Sequence, residues 1–423
     1  MPSADHAMRR VARLYSAFQL FFGLLLWVPI FYEYQRRVGL SDQQIFSIQS
    51  IYYLAFLFLE LPTGLIADRF GYRQALRLGA AVLLVANVLP VASPSFLGFL
   101  WHWVLIALAR SLISGASSAY LYEYLLGHNA AEQYKRIEGG ARAYGLVAKV
   151  LVWPTVGLLM SWHMPLPYWI TALFAAIALL VAERLPEVRP TRIGPTGETT
   201  ARLSSWRRAW QGFANQVRTV RAVTRASPVL LLLMLQGIGI FVLERICQVS
   251  LFQPILESKG FLAVSYGWVL SVNTIFEAWG SARSNWLRRW MSDLSAVLVL
   301  TVVMGTSLSL IALTGKVGAV VGLTTFAWAS GLAFPIRRQV MNEAISDSRY
   351  RATLLSFESI LDRAGSAAVA AVLGGFVARG QTDMFLLLSA GVTVVVGVVL
   401  YVVIRRRSAD GVAPSVASAR VTR

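Results

Sequence analysis

The chain has 423 residues, of which 56% are hydrophobic and only 14% are charged. A soluble protein of this size needs far more polar surface, which argues strongly against a soluble enzyme. The formal net charge of +18 would suggest nucleic-acid binding in a soluble chain. In an apolar chain it indicates basic loops that anchor a membrane protein, so we expect no nucleic-acid partner. The single cysteine, Cys247, excludes an internal disulfide and a cysteine metal cluster.

Taken in chain order, the apolar runs predict twelve membrane-spanning helices, since a bilayer requires about 20 apolar residues per helix. The predicted fold is therefore an all-α polytopic membrane protein. In the first half the runs cover residues 14–32, 43–66, 74–91, 97–126, 139–160 and 165–182. In the second half they cover residues 228–250, 263–283, 294–313, 317–342, 354–378 and 384–404.

The longest polar stretch lies between the sixth and seventh predicted helices. It carries nine arginines and begins with three closely spaced prolines, which is typical of a cytoplasmic linker. We therefore predict two six-helix bundles joined by this linker and flanked by two cytoplasmic tails. The boundaries are 1–13 for the first tail, 14–182 for the first bundle, 183–227 for the linker, 228–404 for the second bundle and 405–423 for the second tail.

Lysine and arginine are distributed unevenly between the two sets of loops. If the N-terminus is cytoplasmic, the cytoplasmic loops and tails hold 29 of the 39 basic residues. The opposite loops hold five, and five more lie within helices. This asymmetry predicts a multi-pass protein of the plasma (inner) membrane with both termini in the cytoplasm.

The two halves also repeat weakly, at an offset near 216 residues. Gly64 falls on Gly280, and Arg73 falls on Arg289. Each match is short, but together they favour an internal duplication. Parallel repeats of six helices are the plan of one major transporter fold.

The second predicted helix ends in Gly64-Leu-Ile-Ala-Asp68-Arg69-Phe-Gly71-Tyr72-Arg73. This resembles the signature loop of the major facilitator superfamily, in which a glycine and three residues precede Asp-Arg, one residue, a glycine and two basic residues. With the twelve segments and the central linker, the resemblance covers nearly the whole chain. It implies the fold of that superfamily, with the two bundles in a pseudo-twofold arrangement, and a transporter rather than an enzyme.

The resemblance also implies a gating role for this loop, in which Asp68 contacts the opposite half and helps to hold the outward-facing state. We further expect ion pairs between the halves, one from Glu60 to Arg363 and one from Glu277 to Lys149 or Arg142. Static pairing within each half is the alternative. The predicted gating residues are Gly64, Asp68, Arg69, Gly71, Arg73, Glu60, Glu277 and Arg363.

Ionisable side chains inside apolar helices are costly and usually face the protein interior, so they are the best candidates for coupling. An arginine such as Arg110 would tune a neighbouring acid rather than carry the proton itself. Purely structural ion pairs are the alternative for each residue. The predicted charge network comprises Arg110, Glu123, Arg142, Lys149, Glu244, Glu358 and Asp362.

Polar and aromatic residues within the helices are candidates for substrate contact, with ordinary helix–helix or lipid contact as the alternative. The predicted cavity residues are Gln19, Tyr120, Gln236, Asn273 and Trp328. The four histidines are scattered without metal-ligand spacing, so we expect neither a metal nor a cofactor.

The expected function is secondary transport by alternating access, driven by protons or another coupling ion. The first hypothesis is proton-coupled efflux of a drug or natural product, as in multidrug resistance. The second is proton-coupled uptake of a polar or anionic nutrient, which Arg110, Arg142 and Lys149 favour. A polytopic membrane enzyme or a non-transporting scaffold is the alternative of another class, although no phosphate-binding loop or nucleophile elbow occurs. The expected partners are a small-molecule substrate and the lipid bilayer, with the protein a monomer.

Overall fold

The computed structural model describes residues 4–188, 227–345 and 351–409, with residues 218, 220, 221, 223 and 225 between the first two ranges. The side chains of residues 4, 5, 61, 62, 64–69, 351, 352 and 407–409 lie outside this description. All regular secondary structure in the described ranges is helical.

The first compact unit consists of Met1–Leu40 and Ile51–Trp210. Its described residues form eight helices, although the first turns of the third helix group with the second unit. The helices are α1 (Ala4–Gly23), α2 (Phe31–Arg37), α3 (Asp42–Phe70), α4 (Tyr72–Ala92), α5 (Phe96–Ile113), α6 (Ala116–Leu126), α7 (Tyr134–Trp162) and α8 (Leu166–Arg184).

The second compact unit consists of Ser41–Ser50 and Gln211–Arg423. A π-helical segment, Ile246–Ser250, interrupts its first transmembrane pass. The helices are α9 (Pro228–Arg245), α10 (Phe252–Ser258), α11 (Ala263–Ala282), α12 (Ser284–Arg288), α13 (Asp293–Leu313), α14 (Lys316–Ala344), α15 (Arg351–Ala378) and α16 (Thr382–Ala409).

Nine helical spans among the described residues are long and apolar enough to cross a membrane. The three other predicted segments, residues 14–32, 43–66 and 263–283, are occupied by α1 with α2, by α3 and by α11. The apolar runs singled out in the sequence are mainly helical, because a chain in hydrocarbon must satisfy its backbone hydrogen bonds internally. In the first run, the non-helical residues 24–30 separate α1 from α2.

The helix boundaries also differ from the predicted ones in several other places, and three examples lie in the first half. α1 begins at Ala4, so most of the predicted tail is helical, because its basic residues extend an amphipathic helix beyond the apolar run. α7 begins at Tyr134, five residues before the predicted start. The predicted fourth helix is divided into α5 and α6 at Gly115, whose φ of 80° lies in a region that favours glycine.

The internal repeat has a different offset from the predicted one. A glycine with positive φ precedes the third helix of each half, Gly39 in the first and Gly260 in the second, 221 positions apart. The same spacing of 221 relates the starts of α2 and α10, α3 and α11, and α4 and α13. Offsets near the expected 216 hold only for the last two passes, with 217 between the starts of α7 and α15 and 216 between those of α8 and α16. The reason is that the later helices and connections of the second half are slightly shorter than those of the first. The alignment of Gly64 with Gly280 is therefore out of register.

Two glycines bring α11 and α14 into close backbone contact in the second unit. A Cβ atom on Gly331 would overlap the carbonyl oxygen of Glu277, and one on Gly280 would overlap the carbonyl oxygen of Trp328. Small residues that allow such an approach are a common way of packing helices in a membrane.

We predict that Gly331→Ala lowers the unfolding free energy by about 1–3 kcal/mol, because the added methyl group forces α11 away from α14. The measurement is thermal unfolding of the purified protein in detergent. Gly391→Ala in α16 is the matched control, since nothing lies within 4 Å of a Cβ atom built there. Equal melting temperatures for Gly331→Ala and the unmodified protein would contradict the close packing.

Candidate functional site

A cavity of about 600 Å³ lies within the first unit, among α1, α3, α5, α6 and α7. Its charged lining residues are three cations, Arg110, Arg142 and Lys149, and one carboxylate, Glu138. The formal charge of the lining is therefore +2. The volume is in the range of small-molecule sites in other proteins.

One face of α7 supplies most of this charge. Glu138, Arg142, Gly145 and Lys149 follow one another at intervals of four, three and four residues, which places them on the same side of a helix. Nothing lies within 4 Å of a Cβ atom built on Gly145. The glycine therefore leaves room in the cavity between the basic side chains.

A hydrogen-bond network fixes the carboxylate. The Tyr15 hydroxyl donates to Glu138 Oε2, and Arg142 Nε donates to Glu138 Oε1 over 3.2 Å. Gln19 Nε2 donates to the Tyr15 hydroxyl over 2.9 Å and to Ser117 Oγ over 3.3 Å. These contacts join α1, α6 and α7, and they occupy both carboxylate oxygens of Glu138.

The break between α5 and α6 shapes the opposite wall. Ser114 and Gly115 form the break, and Ser117 and Ser118 follow it on α6. The small side chains of these residues leave open space beside Arg110, the basic residue of α5. Arg110 Nη1 donates to the Tyr52 hydroxyl over 3.2 Å, which leaves other guanidinium N–H groups for the cavity.

The structure brings four of the predicted residues together here, namely Gln19, Arg110, Arg142 and Lys149. Tyr120 is instead fully buried, and its hydroxyl donates to the Pro186 carbonyl oxygen. Glu123 lies half-buried elsewhere on α6.

The sequence analysis missed two residues of this cavity network, Tyr15 and Glu138. The spacing of four residues from Glu138 to Arg142 was the available signal, but the predicted helix began at residue 139, just after Glu138.

A second cluster of charges lies within the second unit, where α9, α14 and α15 meet. Arg245 Nη2 donates to Asp362 Oδ2 over 2.6 Å, and the Asp362 side chain is only 6% exposed. Glu244, the neighbour of Arg245 on α9, lies within electrostatic range of Asp362 and of Arg337 on α14. Ionisable groups at this depth are expected to pair with one another.

Arg337 is the central cation of this cluster. The residue is buried, and its Nη1 donates to the Gly237 carbonyl oxygen on α9 over 2.7 Å. Its guanidinium carbon lies 3.3 Å from the centre of the Phe241 ring, an attractive stacking arrangement. Among the described residues, Arg337 Nε and Nη2 have no hydrogen-bond partner.

Glu358 on α15 faces the same cluster. Its side chain is 5% exposed, and its Oε2 lies 3.7 Å from Arg338 Nη1, beyond hydrogen-bond distance. Its Oε1 lies 2.9 Å from the position that a Cβ atom on Gly237 would occupy. The absence of a side chain at Gly237 therefore allows the Glu358 carboxylate to approach α9.

The structure thus groups the predicted residues Glu244, Glu358 and Asp362, with Gln236 buried beside them. Asn273 and Trp328 lie elsewhere in this unit, where Asn273 accepts from Thr324 and Trp328 packs on Trp279. Sequence reasoning missed Arg337 and Arg338, which it counted with the cytoplasmic loop after the tenth helix. Both arginines lie inside the apolar run 317–342, and this position could have identified them as charged residues within a helix.

The predicted signature loop is described only in part. The side chains of Gly64, Asp68 and Arg69 lie outside the described residues. Gly71 precedes α4 with a φ of 90°, and Arg73 donates to the Glu183 carbonyl oxygen at the end of α8. Glu60, Glu277 and Arg363 are half-buried, and the ion pairs between halves remain predictions.

Comparison with known proteins identifies the family. The sequence model of the Major Facilitator Superfamily matches residues 14–336, most of the chain, so the chain belongs to this superfamily. It is therefore a multi-pass integral membrane protein and a secondary transporter of a small molecule, not an enzyme. The predicted family and fold class are confirmed. No curated protein matches the sequence.

Solved structures agree with this assignment at the level of the fold. The crystal structure of nucleoside transporter NupG aligns with a TM-score of 0.73 and 13% identity, covering 94% of this chain and 99% of that chain. A POT family transporter in complex with a thioalcohol-conjugated peptide aligns with a TM-score of 0.70 and 14% identity, covering 95% and 96%. At such identities the likeness shows the fold alone.

We predict that Arg245 and Asp362 are energetically coupled, because removing either partner leaves a charge in a poorly solvated site. A double-mutant cycle with Arg245→Gln and Asp362→Asn, measured by unfolding in detergent, should give a coupling energy of about 0.5–3 kcal/mol.

The matched control cycle is Glu33→Gln with Arg37→Gln, an ion pair within α2 whose arginine side chain is 47% exposed. Its coupling energy should stay below about 0.5 kcal/mol, as is usual for exposed pairs. Additive effects of the Arg245 and Asp362 substitutions would show that this ion pair does not stabilise the second unit.

Proposed function

We propose that this transporter is proton-coupled and that Glu358 carries the coupling proton. The observation that supports the proposal is the group of three carboxyl groups, Glu244, Glu358 and Asp362, among arginines within membrane-spanning helices. Intramembrane carboxyl groups of this kind recur in proton relays of pumps and transporters.

The contacts distinguish Glu358 from Asp362. The Asp362 carboxylate accepts a charged hydrogen bond from Arg245 at 2.6 Å. Glu358 has a cation only at 3.7 Å, and its Oε2 has no hydrogen-bond partner among the described residues. Glu358 is therefore the carboxyl group whose charge is less well compensated, and it can accept a proton at lower cost.

Protonation of Glu358 would change the forces on two helices. The ionised carboxylate attracts Arg337 and Arg338 on α14, whereas the neutral acid does not. Arg337 also donates to the Gly237 carbonyl oxygen on α9, the helix that continues into the π-helical segment. Proton binding is thereby linked to the packing of α9, α14 and α15, the kind of rearrangement that alternating access requires.

The charged cavity of the first unit favours a polar substrate and hence the second hypothesis, uptake by symport. Efflux of an apolar compound is the other candidate, and one observation supports it. A cleft of about 190 Å³ in the second unit, among α9, α13, α15 and α16, has an almost wholly apolar lining that includes Leu235, Ile240 and Phe385.

We also propose a plasma (inner) membrane location with both termini cytoplasmic and a monomeric state. The positive-inside asymmetry supports the orientation. When Arg337 and Arg338 are counted with helix α14 and not with the loops, 27 basic residues remain on the cytoplasmic side against five on the opposite side.

The gating role of Asp68 and the ion pairs between halves belong to the same proposal and are supported by the resemblance of the signature loop.

We predict that Glu358→Gln abolishes proton movement coupled to substrate, because the amide cannot exchange a proton. The assay uses proteoliposomes with a trapped pH-sensitive dye, to which organic anions or cationic drugs are added under pH gradients of either direction. Asp362→Asn should lower the unfolding free energy and reduce flux, but proton movement per substrate should persist.

Glu343→Gln is the matched control, because Glu343 is an exposed carboxyl group at the end of α14. Its flux should equal that of the unmodified protein. Substrate flux without proton movement under every gradient would refute proton coupling. Proton-driven export of cationic drugs, with no movement of anions, would establish the efflux candidate instead.

A further inference from the structure

We infer that the connection between α11 and α13 binds the headgroup of an anionic phospholipid, with an acyl chain of that lipid lying along α11. The proposed charged contacts are Arg283 and Arg289, and the proposed aromatic contacts are Trp286 and Trp290. This lipid site lies outside both charge clusters described above. The inference depends neither on the proposed substrate nor on the proposed coupling ion.

The length of this connection places it at a membrane surface. Only residues 283–292 separate α11 from α13, and five of them form the short helix α12. The two flanking helices are successive membrane passes of the superfamily fold. So short a connection keeps its side chains within reach of the lipid headgroups.

The exposed side of the connection has the composition of an interfacial surface. Trp286 is 53% exposed and Trp290 is 77% exposed, and Arg283 and Arg289 are exposed on the same side. The half-buried side chains point the opposite way, at Ser284, Leu287, Arg288 and Met291. Tryptophan is enriched where acyl chains meet the headgroups, because its ring is apolar and its N–H is polar.

Two of the three arginines in the connection are available to a ligand. Arg288 is occupied, since its Nε donates to Asp293 Oδ1 over 2.7 Å and its Nη2 donates to Asp293 Oδ2 over 3.1 Å. Within the described ranges, neither Arg283 nor Arg289 forms an ion pair. A guanidinium group matches the geometry of a phosphate group, so both can donate to a phosphodiester. Two cations also disfavour a headgroup with an ammonium group, which selects an anionic over a zwitterionic lipid.

An apolar surface on α11 leads to these arginines. Ile275 is 49% exposed, Phe276 is 38% exposed and Trp279 is 50% exposed. Ile275, Trp279 and Arg283 follow one another at intervals of four residues, so they lie on one side of the chain. Exposed apolar patches of this kind mark contact with a membrane or a partner. An apolar stripe that ends in two arginines matches the shape and charge of one phospholipid molecule.

The test is native mass spectrometry of the purified full-length protein in detergent, titrated with phosphatidylglycerol or with phosphatidylcholine of the same acyl chains. We expect the first phosphatidylglycerol to bind at least about fivefold more tightly, as one basic residue at an anionic headgroup contributes. A phosphatidylglycerol with a diazirine in its acyl chain should cross-link to residues 275–290 on irradiation, as located by peptide mapping.

Variants assign the lipid to this connection. Arg283→Gln and Arg289→Gln should each weaken phosphatidylglycerol binding by about fivefold and leave phosphatidylcholine binding unchanged. Trp290→Ala should weaken the binding of both lipids, because it removes an interfacial contact that does not depend on charge. Arg379→Gln is the matched control, since Arg379 is also exposed in a short connection between two passes, but residues 379–381 include no tryptophan.

The outcomes decide the inference without any transport assay. Selective binding that is lost in Arg283→Gln and Arg289→Gln, with cross-links on α11 and α12, supports it. Both arginines are exposed, so unchanged melting temperatures of these variants should show that the protein is still folded. Equal binding of the two lipids, equal weakening by Arg379→Gln, or cross-links confined to other helices would each overturn it.

Discussion

The cost of placing charge inside a membrane constrains the structure more than any other interaction. Each ionisable group in a spanning helix must be paired, hydrated or compensated by a ligand. The second unit meets this requirement by direct pairing, as between Arg245 and Asp362. In the first unit Glu138 pairs with Arg142 in a cavity that Arg110 and Lys149 also line.

The two halves share interruptions in their helices as well as the order of those helices. The first pass of each half is interrupted, between Gly23 and Phe31 in the first and by the π-helical segment after Arg245 in the second. Broken helices expose backbone groups near the middle of a transporter, where polar side chains can use them. Both charge clusters include residues on these interrupted passes, Gln19 with Tyr15 in one half and Glu244 with Arg245 in the other.

Much of the fold followed from the sequence, since long apolar runs leave the chain no alternative to helix. The site residues were predicted less completely, because some of them lie at helix ends that the apolar pattern does not mark. Predicted helices ended where the apolar run ended, but real helices continue when a polar turn finds partners in the protein. Glu138 falls in such an extension of α7, stabilised by Tyr15 from α1. A partner 123 positions away in the sequence could not be found from periodicity alone.

Arg337 illustrates the same limit and shows why the identity of the cation matters. Its planar guanidinium group donates to the Gly237 carbonyl oxygen while stacking on Phe241, and within the described part of the chain its Nε and Nη2 have no hydrogen-bond partner. A lysine at this position, with a compact ammonium group, cannot combine these contacts. The missing side chain at Gly237 is equally necessary, because it admits both the Arg337 contact and the Glu358 carboxylate beside α9. Under the proposed coupling, a proton on Glu358 would therefore act on a cation that is already hydrogen-bonded to α9.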